Sequence, residues 1–232
     1  SEHAPARGPK GWSIPATARR VLALLEGLDW RVARIADVGA GRGAFSHLLA
    51  EHLRALGHGD VGERLFPCDR CPESFEVEGL TCAKVDATGR LPFADGSLDA
   101  AVSIEVIEHV EDPCGFMREL ARIVRPGAPV IVTTPNVLSM ASRWRTYLNG
   151  FPELFDPLPF SGGDARVLSG HIHPISPYYL AHTALRAGLV QPSLHGDRTK
   201  HSSAALAVVF SPALYLGSSL LRLRLARKAP QV

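Results

Sequence analysis

The sequence predicts an α/β fold in which helices cover both faces of a doubly wound, mostly parallel sheet. Strand patterns and helix patterns alternate along the chain, as they do in successive βαβ units. A glycine-rich segment at 39–43 lies where the first strand gives way to a helix, and an acidic residue lies at the end of each of the first three strands. The 232 residues suffice for one sizeable core, so we expect a single domain over 1–232, preceded by a loose lead-in at 1–14.

Hydrophobic periodicity and helix-capping residues place the elements. Helices are expected over Pro15–Leu28 and from Ala44 to Gly57, and Asp112-Pro113 and Ser176-Pro177 are typical of helix starts. Strands are predicted at 33–38, 61–68, 81–85, 98–104 and 129–134, with a last strand at 203–210. A C-terminal helix is expected over 212–228.

The segment 135–175 is long, irregular and rich in proline, glycine and aromatic residues. Such segments inside compact domains are often functional, and we predict a substrate lid. Its candidate substrate-binding residues are Arg143, Tyr147, His171 and His173. We expect aromatic side chains of the segment to line an apolar pocket and the arginine to bind an anionic group of the substrate. Alternatively, the aromatic residues pack a lid helix onto the core.

The charge balance and the cysteine content limit which binding partners and metal sites the sequence supports. The chain has 25 basic and 23 acidic residues and a net charge of +2, which gives no support to nucleic acid as a partner. Cys68 and Cys71 form a CxxC, but Cys82 and Cys114 supply no second pair for zinc. Reduced thiols in a cytoplasmic protein are the favoured interpretation.

The stretch 203–221 is uncharged and near spanning length, but Pro212, Gly217 and several serines interrupt it, so no transmembrane segment is predicted. Leucines alternate with arginines in the C-terminal helix, which favours packing against its own sheet. Peripheral contact with a membrane surface is the alternative.

The sequence DVGAGRGAF, 37–45, has the glycine spacing of a nucleotide-binding turn. Gly39 permits a tight turn, Gly41 lets a ligand approach the backbone, and Gly43 allows close helix packing. The free N–H groups of the following helix then face the ligand. With Ala44 last, the same glycines also fit a dinucleotide fingerprint, so an NAD-dependent oxidoreductase is an alternative.

Three acidic residues distinguish a dinucleotide from a positively charged nucleoside as the ligand. Asp37 at the end of strand one would repel a pyrophosphate and attract the cationic sulfonium and amino group of S-adenosylmethionine. Asp69 can accept from both ribose hydroxyls at the end of strand two, and Asp86 from the adenine amino group at the end of strand three. All three are expected to line one crevice at the carboxyl edge of the sheet.

The chain resembles the class I S-adenosylmethionine-dependent methyltransferases, especially the branch of ubiquinone- and menaquinone-biosynthesis methyltransferases. The segments that carry the resemblance are DVGAGRG, CDRCPE, VDATGRLPFADGSLDAAVSIEVIEHVEDP and RIVRPGAPVIVTTPN. The resemblance implies a Rossmann-like, seven-stranded sheet whose last strand is antiparallel. The candidate cofactor-binding residues are Asp37, Gly39, Ala40, Gly41, Gly43, Asp69, Arg70, Asp86, Ala87 and Glu105.

The segment IEVIEHV, 104–110, leaves strand four on the crevice side. Glu105, Glu108 and His109 would share a face if this turn is helical. His109 and Glu108 are the candidate catalytic residues, with His109 as the general base that takes the proton of an acceptor hydroxyl. Alternatively, His109 packs beneath the cofactor loop.

A further alternative is a divalent metal ion. ExxEH with a later histidine is similar to the set that binds such an ion in small-RNA 2′-O-methyltransferases, and His171 or His173 would be the fourth ligand. The EHV part of this pattern also occurs widely in family members that use no metal, and the favoured prediction has no metal ligand.

The sequence therefore predicts a methyltransferase that uses S-adenosylmethionine, releases S-adenosylhomocysteine and methylates oxygen on a small-molecule, sugar or lipid-linked acceptor. A cofactor-binding module without catalysis is the second alternative, beside the NAD-dependent oxidoreductase.

Overall fold

A computed structural model describes residues 15–86, 88–156, 170–197 and 201–228. Within these ranges five strands form one parallel sheet: β1 (Ile35–Val38), β2 (Leu65–Asp69), β3 (Ala83–Lys84), β4 (Ala100–Ile104) and β5 (Val130–Thr133). Their order across the sheet is β3-β2-β1-β4-β5. Successive strands are thus added on one side of β1 up to β3 and on its other side from β4 onwards, so the strand order reverses between β1 and β4. In open α/β sheets a crevice for ligands forms at such a reversal, outside the carboxyl ends of the strands.

Six helices accompany this sheet in the described ranges: α1 (Pro15–Leu24), α2 (Ala44–Ala55), α3 (Pro113–Ile123), α4 (Met140–Asn149), α5 (Pro177–Arg186) and α6 (His201–Lys228). Short 3-10 turns occur at Val61–Glu63, Pro72–Ser74 and Ile107–His109. The predicted caps are confirmed, since Asp112 accepts from the Gly115 N–H at 2.8 Å and Ser176 from the Tyr179 N–H at 3.2 Å.

The sheet buries a core on each face, as predicted for a doubly wound fold. Ile35 lies in one core with side chains of α1 and α2, while its neighbour Ala36 lies in the other with side chains of α3 and α5. Successive residues of a strand point to opposite faces, so β1 contributes to both layers. Both cores therefore hold the carboxyl end of β1 in a fixed position.

The prediction of seven strands with an antiparallel last strand is wrong for the described residues, which form five parallel strands. The segment predicted as that last strand, 203–210, is part of helix α6. Its β-branched pair Val208-Val209 imitates a strand, but the surrounding alanines favour a helix. A short apolar run does not distinguish the two by periodicity alone.

Helix α6 also packs differently from the prediction. Its main described contact is with α4 rather than with the sheet, and the rings of Trp144 and Phe210 are 5.5 Å apart. Throughout the described ranges, no helix combines the length and apolar character that crossing a bilayer requires.

Candidate active site

The three predicted acids lie at the carboxyl ends of adjacent strands. Asp37 is the next-to-last residue of β1, Asp69 ends β2, and Asp86 comes two residues after β3. The parallel register pairs Val38 with Cys68 and Asp69 with Lys84, which puts the three strand ends along one edge. The structure thus brings these carboxylates to the same side of the sheet.

The glycine bend, residues 39–43, follows β1 directly. Gly39 has φ +78°, and a Cβ on it would lie 2.4 Å from a methyl of Val106. Gly43 has φ +89°, and a Cβ there would lie 2.4 Å from Val77. Only glycine satisfies both the backbone angle and the close contact at these positions.

Gly41 differs from its two neighbours because its backbone borders open space. Its φ is +53°, and a Cβ built on it meets no atom within 4 Å. The N-cap of α2, Gly43, offers no side-chain hydrogen bond, so the first N–H groups of the helix have no side-chain cap. A bend with open space and a helix N-terminus beside it suits an electron-rich ligand group.

Asp69 fastens the bend to the end of β2. Its Oδ2 accepts from the Gly41 N–H and its Oδ1 from the Cys71 N–H, both at 2.8 Å. Each carboxylate oxygen has a second lone pair, so both remain able to accept from a ribose hydroxyl. Asp86 is more exposed, and its Oδ1 accepts from the backbone and hydroxyl of Thr88 and from the Arg90 N–H.

Asp37 is almost completely buried, with 2 % of its surface exposed. Its Oδ2 accepts from the Ser46 hydroxyl at 2.6 Å, which joins β1 to α2. Burial, and then the charge of Asp69, raise the pKa of Asp37 to about 6, although the Ser46 hydrogen bond opposes the shift. A cation bound nearby would relieve the cost of this buried charge.

The other predicted cofactor residues are spread around the bend. The Ala40 N–H donates to the Cys68 carbonyl at 3.1 Å, Arg70 is exposed after β2, and Ala87 lies outside the described residues. Glu105 directly follows β4 and has φ +55°, an angle that costs a residue with a side chain about 1 to 3 kcal/mol.

Thr133 holds Glu105 in this strained conformation. The Glu105 N–H donates to the Thr133 carbonyl, and the Thr133 hydroxyl donates to Glu105 Oε1 at 2.9 Å. The sequence analysis missed Thr133 as part of the site. The hydroxyl pair that ends β5, in VTTPN, is the signal that identifies it.

Beyond Glu105, three side chains form a cluster, which we call the Glu-His cluster: Glu108, His109 and His171. One carboxylate oxygen and two ring nitrogens from these residues lie within 4.8 Å of one another. The His109 and His171 rings meet edge to face, with centroids 4.6 Å apart. Of the two later histidines considered from the sequence, His171 rather than His173 joins this cluster.

Backbone hydrogen bonds attach the segment 170–173 to the turn that carries the cluster. The Ile172 and His173 N–H groups both donate to the Glu108 carbonyl at 3.0 Å. His109 Nδ1 lies 3.0 Å from the Gly170 carbonyl. Two segments are therefore joined at the cluster although His109 and Gly170 are 61 residues apart in the sequence.

The Glu-His cluster is deficient in hydrogen bonds. Glu108 is fully buried, and among the described residues neither of its carboxylate oxygens has a hydrogen-bond partner of good geometry. Burial, and then the charge of Glu105, raise the pKa of Glu108 to about 8, while the nearby Thr134 hydroxyl opposes the shift. Nδ1 of His171 is likewise buried without a partner.

The pKa of His171 shifts in the opposite direction. Burial lowers it, the neighbouring His109 lowers it further, and the backbone of Leu154 opposes the change. Phe155, itself buried, covers the His171 ring at 5.2 Å between centroids. A neutral imidazole with an available lone pair is the form that these surroundings favour.

The predicted substrate residues on α4 do not join the cluster by any described contact. Arg143 donates from Nε to the Leu138 carbonyl, and Tyr147 is 81 % exposed and stacks on Trp144. Their role in substrate binding stays a prediction, as does that of His173.

The CxxC cysteines have different surroundings. Cys68 is buried in the core, where burial raises the pKa of its thiol, and Cys71 is exposed. All four cysteines are free. Within the described ranges, neither CxxC cysteine belongs to a group of three potential metal ligands.

Comparison with known proteins identifies a domain in the middle of the chain. Residues 36–132, from β1 to β5, match the family described as methyltransferase domain. A probable S-adenosylmethionine-dependent methyltransferase of Mycolicibacterium smegmatis is 30 % identical over 121 residues, which cover 50 % of this chain and 44 % of that protein. The ubiquinone biosynthesis O-methyltransferase of Xanthomonas oryzae pv. oryzae is 31 % identical over 119 residues, 47 % of this chain and 46 % of that protein.

The chain thus spans less than half the length of these curated relatives. Among solved structures, a methyltransferase from Archaeoglobus fulgidus has a TM-score of 0.53 at 16 % identity, covering 85 % of this chain and 84 % of that one. A possible histamine N-methyltransferase from Thermotoga maritima has a TM-score of 0.50 at 21 % identity, covering 75 % and 69 %. These similarities confirm the Rossmann-like fold.

Proposed function

We propose that the protein binds S-adenosylmethionine and transfers its methyl group, a proposal supported by the match of residues 36–132 to the methyltransferase domain family. The observation that carries the proposal is the edge formed by Asp37, Asp69 and Asp86 beside the open backbone of Gly41. Carboxylates there suit the two hydroxyls of a ribose and a positively charged sulfur, and would repel the pyrophosphate of a dinucleotide.

The transfer is an in-line displacement. A lone pair of the acceptor forms a bond to the methyl carbon while the carbon–sulfur bond breaks, and its electron pair stays on sulfur to give S-adenosylhomocysteine. Holding the two reactants in line at near contact supplies up to about 7 to 11 kcal/mol of the barrier reduction. We assign this positioning to the strand-end residues and to Glu105, whose backbone is fixed by Thr133.

The acceptor is a hydroxyl whose proton is taken up in the Glu-His cluster. A carbonyl can only accept a hydrogen bond, so the contact with Gly170 requires a proton on Nδ1 of His109. Nε2 then carries the lone pair, which makes His109 the candidate general base. The relatedness to the ubiquinone biosynthesis O-methyltransferase also supports an oxygen acceptor.

Of the small-molecule, sugar and lipid-linked acceptors, the surface of α4 and α6 best suits a lipid-linked one. Exposed apolar side chains gather on these two helices, including Tyr147, Leu148, Val208, Val209 and Leu216. Apolar surface of this kind accompanies binding to other apolar molecules or to membranes. Helix α4 lies within the segment 135–175 that we propose as the substrate lid, and α6 packs against α4.

Isothermal titration calorimetry with S-adenosylhomocysteine tests cofactor binding directly. We expect saturable binding by the wild-type chain and a large loss in Asp69→Ala, because the fastening of Gly41 and the ribose contacts disappear together. Glu78→Ala removes an exposed carboxylate outside the predicted cofactor-binding residues and is the matched control for loss of charge. Absence of binding to the wild type, or binding of NAD instead, would refute the proposal.

Isotopically labelled S-adenosylmethionine, incubated with fractionated lipid and aqueous cell extracts, tests transfer. We expect label in a lipid fraction, with KM for the cofactor raised in Asp69→Ala and kcat lowered in His109→Ala. Binding without transfer to any fraction would instead indicate a cofactor-binding module.

A further inference from the structure

We infer that Glu108, His109 and His171 form a binding site for one divalent transition-metal ion, an assignment that goes beyond methyl transfer. The three ligand atoms come from two separate segments and lie within 4.8 Å of one another. The site stands on three independent features: an unpartnered buried carboxylate, a histidine whose tautomer is fixed, and a second histidine with an unpartnered buried nitrogen.

The carboxylate is the most informative of these. In the described part of the chain, Glu108 is the one carboxylate among the largest fully buried side chains, with no exposed surface and no well-formed hydrogen bond to either oxygen. Buried polar groups are normally hydrogen-bonded, since an unmade bond costs about 1 to 3 kcal/mol or more. A cation between Glu108 and the two imidazoles removes this deficit.

The surroundings of His109 match those of a metal ligand. Its Nδ1–H donates to the Gly170 carbonyl at 3.0 Å, which leaves the Nε2 lone pair available. Histidine ligands of metal ions commonly donate their other ring N–H in this manner, and the bond fixes both the tautomer and the ring orientation.

His171 completes the set through the backbone. The Ile172 and His173 N–H groups bind the Glu108 carbonyl, so the residue that bears the second imidazole is fastened to the residue that bears the carboxylate. Phe155 covers the His171 ring and excludes water on that side. One ring nitrogen of His171 belongs to the group of three ligand atoms, and its Nδ1 is buried without a hydrogen-bond partner among the described residues.

The donor set indicates which ions fit. One carboxylate oxygen and two imidazole nitrogens suit Zn²⁺, Fe²⁺, Co²⁺ or Mn²⁺, whereas Mg²⁺ and Ca²⁺ prefer oxygen alone. Zinc bonds to such ligands measure about 2.0 to 2.2 Å, which places two ligands of a tetrahedral site about 3.3 to 3.6 Å apart. Ligand atoms as far as 4.8 Å apart must therefore approach by about 1 Å when an ion binds. Three protein ligands leave at least one position open, as in catalytic metal sites.

The open position gives the ion a role that rests on the proposed function. A hydroxyl bound there has a lowered pKa and can attack the methyl carbon with less help from a base. With an ion bound, Nε2 of His109 would serve as a ligand instead of the base, and the proton of the ion-bound hydroxyl would pass to water. Ion binding itself does not require that methyl transfer occurs.

The test is titration of chelator-stripped, untagged protein with Co²⁺, followed by calorimetry and by the visible absorption of the ion. A Cys71→Ser background removes the exposed thiol as a competing ligand. We expect one ion per chain, and a loss of affinity of about ten-fold or more in both Glu108→Gln and His171→Gln, at least the loss typical when a supporting partner is removed. His182→Ala, an exposed histidine on α5, is the control and should bind Co²⁺ as the parent does.

Two results would overturn the inference: no saturable Co²⁺ binding tighter than about 1 mM, or equal affinity in the parent and in folded Glu108→Gln. Circular dichroism of each variant establishes that it is folded. Calorimetry with S-adenosylhomocysteine on the same stripped sample tests the proposed function separately. Cofactor binding without Co²⁺ binding refutes only the metal site, and Co²⁺ binding without cofactor binding refutes only the proposed function.

Discussion

Individual residues at the glycine bend have distinct requirements although they share one motif. At Gly39 the backbone angle disfavours any residue with a side chain, and Val106 fills the space that a Cβ would occupy. Gly41 has a positive φ but open space around it. The motif therefore combines one position that the fold requires with one that leaves room for a ligand.

Substitution separates these two requirements. Gly39→Ala is expected to destabilise the protein by about 1 to 3 kcal/mol or more, since strain at φ +78° adds to the clash with Val106. Gly41→Ala should cost less stability but weaken binding of S-adenosylhomocysteine. Urea unfolding and calorimetry measure the two effects.

Gly127→Ala provides the control for backbone strain alone, because Gly127 has φ +82° with no neighbouring atom within 4 Å. It should lose some stability and bind S-adenosylhomocysteine normally. Equal stability losses in Gly39→Ala and Gly127→Ala would contradict the role assigned to the Val106 contact.

The buried carboxyl of Glu108 makes stability depend on pH. Its folded-state pKa is about 8, against an ordinary value of 4.5, so the folded protein keeps a proton that the unfolded chain releases. This contribution is fully present below about pH 4.5 and is lost as the pH rises towards 8. In Glu108→Gln the decline in unfolding free energy over this range should be shallower.

Urea unfolding at several pH values, with a chelator present, measures this difference. The raised pKa of Asp37 gives a decline of the same sign in both proteins, so only the difference between the two curves is diagnostic. Parallel curves for wild type and variant would show that Glu108 carries no raised pKa.

Among the elements, α3 is fastened to the loop before β4 by one side chain. The Arg122 guanidinium bonds to Glu119, Asp95 and the carbonyls of Phe93 and Leu91, and it is only 17 % exposed. We expect Arg122→Ala to lower the free energy of unfolding by roughly 2 to 3 kcal/mol, because several charge-assisted bonds vanish together. The exposed pair of Arg118 with Asp112 is the control.

Arg118→Ala should cost at most about 0.5 kcal/mol, as is usual for exposed ion pairs. Chemical denaturation of the two variants gives the comparison. A similar cost for both substitutions would mean that the Arg122 network is as weak as an ordinary surface pair.

Helix α6 has the composition of a segment that meets a lipid surface. Its sequence contains no acidic residue, and its basic residues, Arg222, Arg224, Arg227 and Lys228, all lie at the carboxyl end. From the proposed lipid-linked acceptor we expect co-sedimentation with vesicles that contain anionic lipid to exceed that with zwitterionic vesicles and to fall with salt.

The double variant Val208→Ser/Val209→Ser should reduce vesicle binding, since both valines are largely exposed on α6. Val32→Ser/Val190→Ser removes two exposed valines elsewhere and should bind as the wild type does. Equal binding by the two double variants would contradict a role for α6.

For the whole molecule, cofactor binding predicts a change in thermal stability. A ligand at 100 times its Kd stabilises the folded state by about 2.7 kcal/mol. In a chain of this size each kcal/mol raises Tm by about 2 to 4 °C, so S-adenosylhomocysteine should raise Tm by about 5 to 10 °C. NAD at the same concentration should leave Tm unchanged, and a comparable rise with NAD would favour a dinucleotide site.

The sequence predicts the sheet from β1 to β5 well because short-range signals suffice there. The bend at Gly39–Gly43 and the caps Asp112 and Ser176 are local chemistry, and they are found where predicted. Helix α6 was predicted wrongly over 203–210, since an apolar run fits either element until its packing partner is known.

The candidate site shows the same limit. That Asp37, Asp69 and Asp86 reach one edge follows from the parallel topology, which sequence alone predicts. The choice of His171 over His173 and the isolation of Glu108 depend on how a distant segment returns to the turn at 107–109, and no local pattern encodes that return.

The return of the chain at Gly170 has a consequence for how such proteins can diversify. Thr134 lies beside Glu108 and Gly170 beside His109, so the stretch between them begins and ends at the Glu-His cluster. The entropy of closing a loop grows only slowly with its length. The residues between the two anchor points can therefore change in length and sequence to suit a new acceptor, provided that Phe155 keeps its place against the His171 ring.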